Sequence, residues 1–157
     1  MKWILIIVLI CVIMLIARSL SEQYSDKYNF YYNLNNFLNQ FKINLSFKQT
    51  KILEFLNSVE SKKQFKLFID RYKEYIATNK LDLSEIKILE DDEIKELEDI
   101  VQSIGKFDAN NELNQISGFQ ASIEMKLKKA EENKQKLCPM IIKLSLLLAI
   151  GLAILLI

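Results

Sequence analysis

The sequence predicts an all-α protein, a cytoplasmic bundle of about five to six helices set between N- and C-terminal transmembrane helices. Three observations predict it. One Pro and three Gly in 157 residues cannot supply the turns of a many-stranded sheet. Both ends are apolar runs, almost free of charge. Between them, apolar residues recur every three or four positions, the period of a helix face rather than of a strand. The expected organisation is an anchor over residues 1–18, a helical domain over 19–138 and a second anchor over 139–157.

Trp3 to Ala17 is fifteen residues without a charge, and Leu144 to Ile157 is fourteen more. At about 1.5 Å per residue each covers roughly 22 Å, short of a hydrocarbon layer of roughly 30 Å. The flanks close the gap, because Lys2, Arg18 and Lys143 carry stems long enough to reach the interface. Ile16-Ala17-Arg18-Ser19 lacks a small-x-small cleavage site, so the first run reads as an uncleaved anchor. The expected molecule is a hairpin with both termini embedded. Of 21 basic residues only Lys2 lies outside the stretch between the two uncharged runs, residues 18–143, so the middle segment should face the cytoplasm.

From Leu20 the series Tyr24, Tyr28, Tyr31, Leu34, Leu38, Phe41 and Leu45 predicts one long helix leaving the membrane, with Phe30 and Phe37 widening its face. A short helix follows within residues 49–59 and a third within 61–77, the latter carrying Phe65, Phe68, Ile69, Tyr72 and Ile76. Leu81 to Ser84 reads as a turn, and Ile86 and Leu89 as the start of a further short helix. Asp91 or Asp92 then caps a helix whose core face is Ile94, Leu97, Val101 and Ile104, with Gly105 as its stop. Asp108 caps the last soluble helix. Its seam, Leu113, Ile116, Gln120, Ile123, Leu127, Ala130, Lys134 and Leu137, reads as a bundle-facing edge, and Pro139 permits a kink at the membrane entrance.

The composition disfavours most chemistry. There is no His, the commonest general base and metal ligand. Cys11 and Cys138 lie at opposite ends of the chain, which fits neither a disulfide framework nor a zinc site. The acidic run from Glu90 to Asp99 lacks the alternating ligands and Gly turn of a calcium loop. No phosphate loop, nucleophile elbow or dinucleotide fingerprint occurs, and a net charge of +1 gives no electrostatic case for nucleic acid. The expectation is a non-enzymatic protein with no catalytic, cofactor or metal residues.

Two charge patterns stand out. Lys62, Lys63 and Lys66 make one helix basic, and Glu93, Glu96 and Asp99 make another acidic, which nominates all six as partner-interaction residues within or between subunits. Arg18, Lys126, Lys128, Lys129, Lys136 and Lys143 are nominated for anionic lipid headgroups, worth about 1 kcal/mol for each Lys near the surface. Read from the residues alone, three classes stay open: a membrane scaffold, a small two-anchor protein that regulates another complex, and a membrane enzyme using carboxylates alone.

The order of short motifs narrows this. Ala17-Arg18-Ser19-Leu20-Ser21-Glu22 leaves the first span, and Ile104-Gly105, Asp108, Gln115 and Leu127 follow after Val101. Ala130-Glu131-Glu132 with Lys134 and Lys136 comes next, then Gly151 and Ile154-Leu155-Leu156. In this order and spacing the chain resembles the stage III sporulation protein AB family of endospore-forming bacteria over nearly its whole length. The resemblance implies a domain similar to the cytoplasmic domain of the platform protein of type II secretion machines. It also implies a scaffold role in the channel apparatus between mother cell and forespore, in the mother-cell membrane. The partners it implies are the membrane, other stage III sporulation channel subunits and the ATPase stage III sporulation protein AA; a homo-oligomer is a further expectation.

Overall fold

A computed structural model describes residues 2–48, 51–104 and 109–156. Five α-helices follow one another among these residues: α1 (Lys2–Ile43), α2 (Ile52–Ser58), α3 (Lys63–Thr78), α4 (Asp91–Ser103) and α5 (Ala109–Leu156). A single π-helical turn, Asn44–Lys48, prolongs α1. No strand occurs among the described residues, so the all-α expectation holds. Gly105 and Asp108, expected as a helix stop and a cap, lie outside the described residues.

Two compact units form, one from Met1–Tyr28 with Lys129–Ile157 and the other from Asn29–Lys128. In the first, α1 and α5 run antiparallel. The Cys138 thiol donates to the Ser21 carbonyl at 3.4 Å, and the Lys134 ammonium lies 4.4 Å from the centre of the Tyr28 ring. Small side chains permit this approach: Ala17, Ala130 and Ala149 are all buried. Most of the large apolar side chains point outward instead, with Leu15 67% and Leu155 83% exposed, while Ile6 is buried. Both helices are long and apolar enough to cross a membrane. An outward apolar surface on such helices is the pattern expected of a lipid-facing pair, not of a water-soluble core. Helix α5 continues through Pro139 to Leu156, as one element spanning the expected kink position.

The second unit is built on aromatic packing. Phe37 of α1 is its hub: its ring lies 5.6 Å from Phe55 of α2 and 6.2 to 6.4 Å from Phe65, Phe68 and Tyr72 of α3. Phe30 meets Phe65 and Phe68 edge-on at 6.0 and 6.1 Å. Offset and edge-to-face pairs of this kind add about 0.5–1.5 kcal/mol each beyond the area they bury. The residues expected to widen the face of α1 therefore form its centre. Leu97, Ile100 and Val101 of α4 and Ile116 and Ile123 of α5 complete the core.

The ends of the helices follow local chemistry. Helix α3 stops at Asn79, which adopts the left-handed conformation (φ 56°) and donates its N–H to the Tyr75 carbonyl at 2.8 Å. Helix α4 is capped by Glu90, not by Asp91 or Asp92. Glu90 and Glu93 make a reciprocal capping box in which the Glu93 carboxylate accepts the Glu90 N–H at 2.9 Å, leaving the two aspartates in the first turn.

The short helix expected from Ile86 and Leu89 is replaced by consecutive turns. Asp82 accepts bonds from the Ser84 N–H at 3.0 Å and the Ser84 hydroxyl at 2.7 Å, and these hold its carboxyl below the usual range. The Ile86 and Leu89 amides then donate three residues back, to Leu83 and Ile86. Leu83, Ile86 and Leu89 are buried at steps of three, a spacing that serial turns satisfy better than a 3.6-residue helix. Arg71 ties this segment to α3, donating to Glu74 and Glu85 at 2.6 Å each.

Candidate functional site

The nominated acidic residues separate into two kinds. On α4, Asp92, Lys95, Asp99 and Gln102 are exposed and share one face by their spacing. Glu93 and Glu96 are half-buried and point the other way. Glu93 belongs to the capping box and faces the buried Tyr31 hydroxyl, whose pKa is raised first by burial and then by that carboxylate. Glu96 accepts hydrogen bonds from Lys126 and Ser122, both on α5. Burial pushes its pKa upward, but the bonds and positive charge from Lys126 with the Ser122 bond outweigh this, so the carboxyl titrates below its usual range.

The nominated basic residues also separate. Lys62, Lys63 and Lys66 are exposed around the start of α3, where Lys63 takes a left-handed backbone angle (φ 50°). Arg18 is exposed on α1 and pairs with Glu22 one turn later at 3.0 Å. Lys128, Lys129, Lys136 and Lys143 are exposed along α5. Lys126 is half-buried and occupied by Glu96. Of the twelve nominated side chains, the structure brings Glu96 and Lys126 together, each nominated for a different role.

Sequence reasoning missed a groove of about 980 Å³ within the first unit. Cys11, Met14 and Ile142 line its apolar end; Arg18, Glu22 and Lys134 line its polar end. Its floor on α1 is Ala17, Ser21 and Ser25, small residues four apart, and that spacing was the available signal. No group of three or more His, Cys, Asp or Glu able to hold a metal occurs among the described residues.

Residues 2–157 match the family model described as stage III sporulation protein AB. No curated protein and no solved structure gives a match. The match covers both apolar helices and everything between them, so the chain belongs to the stage III sporulation protein AB family and has a role in sporulation.

Proposed function

We propose that this protein is a non-enzymatic scaffold subunit of the mother cell–forespore channel apparatus, fixed in the mother-cell membrane by α1 and α5 and coupled on the cytoplasmic side to a secretion-type ATPase. The observation that carries this reading is the division of the chain into an outward-facing apolar helix pair and an aromatic-cored helical unit. In that second unit the half-buried charges Glu96 and Lys126 are spent on each other, while Asp92 and Asp99 stay exposed on one helix face. Such a face selects partners and sets their orientation more than it adds affinity. Family membership in sporulation sets aside the two-anchor regulator with no sporulation role.

The test is site-specific photo-crosslinking from position 99 in sporulating cells. Crosslinks to stage III sporulation protein AA, or to another stage III channel subunit, support the scaffold reading. Recovery of the protein uncrosslinked to any of them, beside normal spore formation after deletion of its gene, would overturn it.

A further inference from the structure

The groove between α1 and α5 occupies an unusual depth. It runs from Cys11 to Ser25 on α1, about 21 Å at 1.5 Å per residue, and the uncharged run ends at Ala17, near its middle. One half therefore lies along hydrocarbon and the other along the headgroup layer. We infer that the groove holds one anionic glycerophospholipid, with an acyl chain along Cys11, Met14 and Ile142 and its phosphate at Arg18 and Lys134. The inference rests on membrane insertion of the two helices and is independent of the scaffold reading.

The polar end fits a phosphoglycerol headgroup. The Arg18 side chain is 78% exposed, and only its Nε is engaged, by Glu22. Its two terminal NH₂ groups remain to meet a phosphate in the paired geometry that guanidinium favours. Lys134 rests on the Tyr28 ring, a contact that leaves its N–H donors available. Glu22 and Gln135 also line the groove, and each brings an acceptor, the Glu22 carboxylate and the Gln135 main-chain carbonyl. The latter lacks its regular helical donor because Pro139, four residues on and also lining the groove, has no N–H. Hydroxyls of a glycerol headgroup can donate to both, whereas a choline headgroup has no donor to offer. The unit as a whole carries seven basic residues against four acidic ones, a net +3 that favours an anionic lipid.

A transmembrane helix is a poorer occupant. It would need a seam through the full hydrocarbon layer of about 30 Å. Beyond Cys11, toward the N-terminus, α1 instead presents exposed Ile7 and Val8, and the facing stretch of α5 presents exposed Leu147 and Ile150. A groove confined to the boundary suits a molecule with a head and a tail.

The experiment is native mass spectrometry of the full chain in detergent, offered equal phosphatidylglycerol and phosphatidylcholine. One phosphatidylglycerol per chain should survive detergent removal in preference to phosphatidylcholine. Arg18→Gln, which removes a charged donor at an exposed position, and Cys11→Trp, which fills the apolar end from an exposed position, should each reduce retention about tenfold. Val8→Trp, exposed but outside the groove, should leave it unchanged. Equal retention of the two lipids, equal loss in Val8→Trp and Cys11→Trp, or undiminished retention in Arg18→Gln would overturn the proposal. So would a dimer that Cys11→Trp dissociates while lipid retention stays unchanged, since the groove would then belong to a second copy of the chain.

Discussion

Lys126 of α5 donates to Glu96 of α4 across thirty residues of chain, and Ser122, one turn earlier on α5, donates to the same carboxylate. The side chains of the pair are 25% and 29% exposed, so neither is free to hydrate fully if the other is removed. Breaking a partly buried pair on one side costs more than deleting both partners, because it strands a charge. Glu96→Gln and Lys126→Met should each destabilise the fold by about 1–3 kcal/mol, and the double variant by less than their sum. Urea unfolding of the four proteins in a double-mutant cycle measures this; additive losses would mean the pair is not coupled.

The same pair sets an acid limit. The folded-state pKa of Glu96 lies below its unfolded value, so its contribution is fully present above the unfolded carboxylate range and is lost as pH falls through the folded value. Wild type should lose stability between about pH 5 and the folded pKa, and Glu96→Gln should lose less over that interval. A stability–pH profile read by denaturant midpoint checks the difference in slope.

Phe37 touches Phe41, Phe55, Phe65, Phe68 and Tyr72, and among the described residues no other ring joins as many of the helices that build the second unit's aromatic core. Truncation to Ala removes the ring and leaves a cavity bounded by three helices. The expected cost is about 3–5 kcal/mol, enough to unfold a domain of ordinary marginal stability. Phe37→Leu should cost markedly less, since it fills part of the volume. Thermal unfolding followed at the helical band separates the two.

The helices were legible because apolar period and Pro/Gly scarcity act locally. Phe30 and Phe37 could be placed on the inner face of α1, but their position as its centre depends on Phe55, Phe65 and Phe68 arriving from other helices. Ile86 and Leu89 read as helical because a step of three fits both a turn series and a helix, and the deciding bond, Ser84 to Asp82, involves a side chain outside the apolar pattern. Glu96 and Lys126 read as surface charges for a different reason. A charge run shows its sign in sequence, yet which members turn inward is fixed by the rotation of α4 against α5.

The fragment covering residues 29–128 should fold without lipid as a helical monomer, because its aromatic core is enclosed within that unit and about 100 residues suffice for one core. Circular dichroism and sedimentation check it. A disordered fragment, or one with substantial β-signal, would show that the core depends on the membrane helices.

Orientation is open to direct measurement. In a background lacking Cys11 and Cys138, a cysteine introduced at the exposed position 92 should resist a membrane-impermeant maleimide in intact cells and react after permeabilisation. The warrant is the bias of basic residues toward the segment between the two helices. Labelling of intact cells would place that segment on the outer side and remove the basis for a cytoplasmic ATPase partner.

The two kinds of acidic residue on α4 predict two phenotypes. Asp92 and Asp99 are exposed, so reversing both to Lys changes the surface field without stranding a buried group. Protein level and helicity should be retained, while association with the channel subunits weakens and spore yield falls. Glu96→Lys faces Lys126 with a like charge in a half-buried position, and should lower helicity and abundance before any partner is involved. Measuring spore yield, protein level and pull-down together separates a lost surface from a lost fold. If Asp92→Lys/Asp99→Lys sporulates normally with full partner recovery, the exposed face of α4 is ordinary solvated surface and the partner surface must be sought elsewhere, first at the basic start of α3 around Lys62, Lys63 and Lys66.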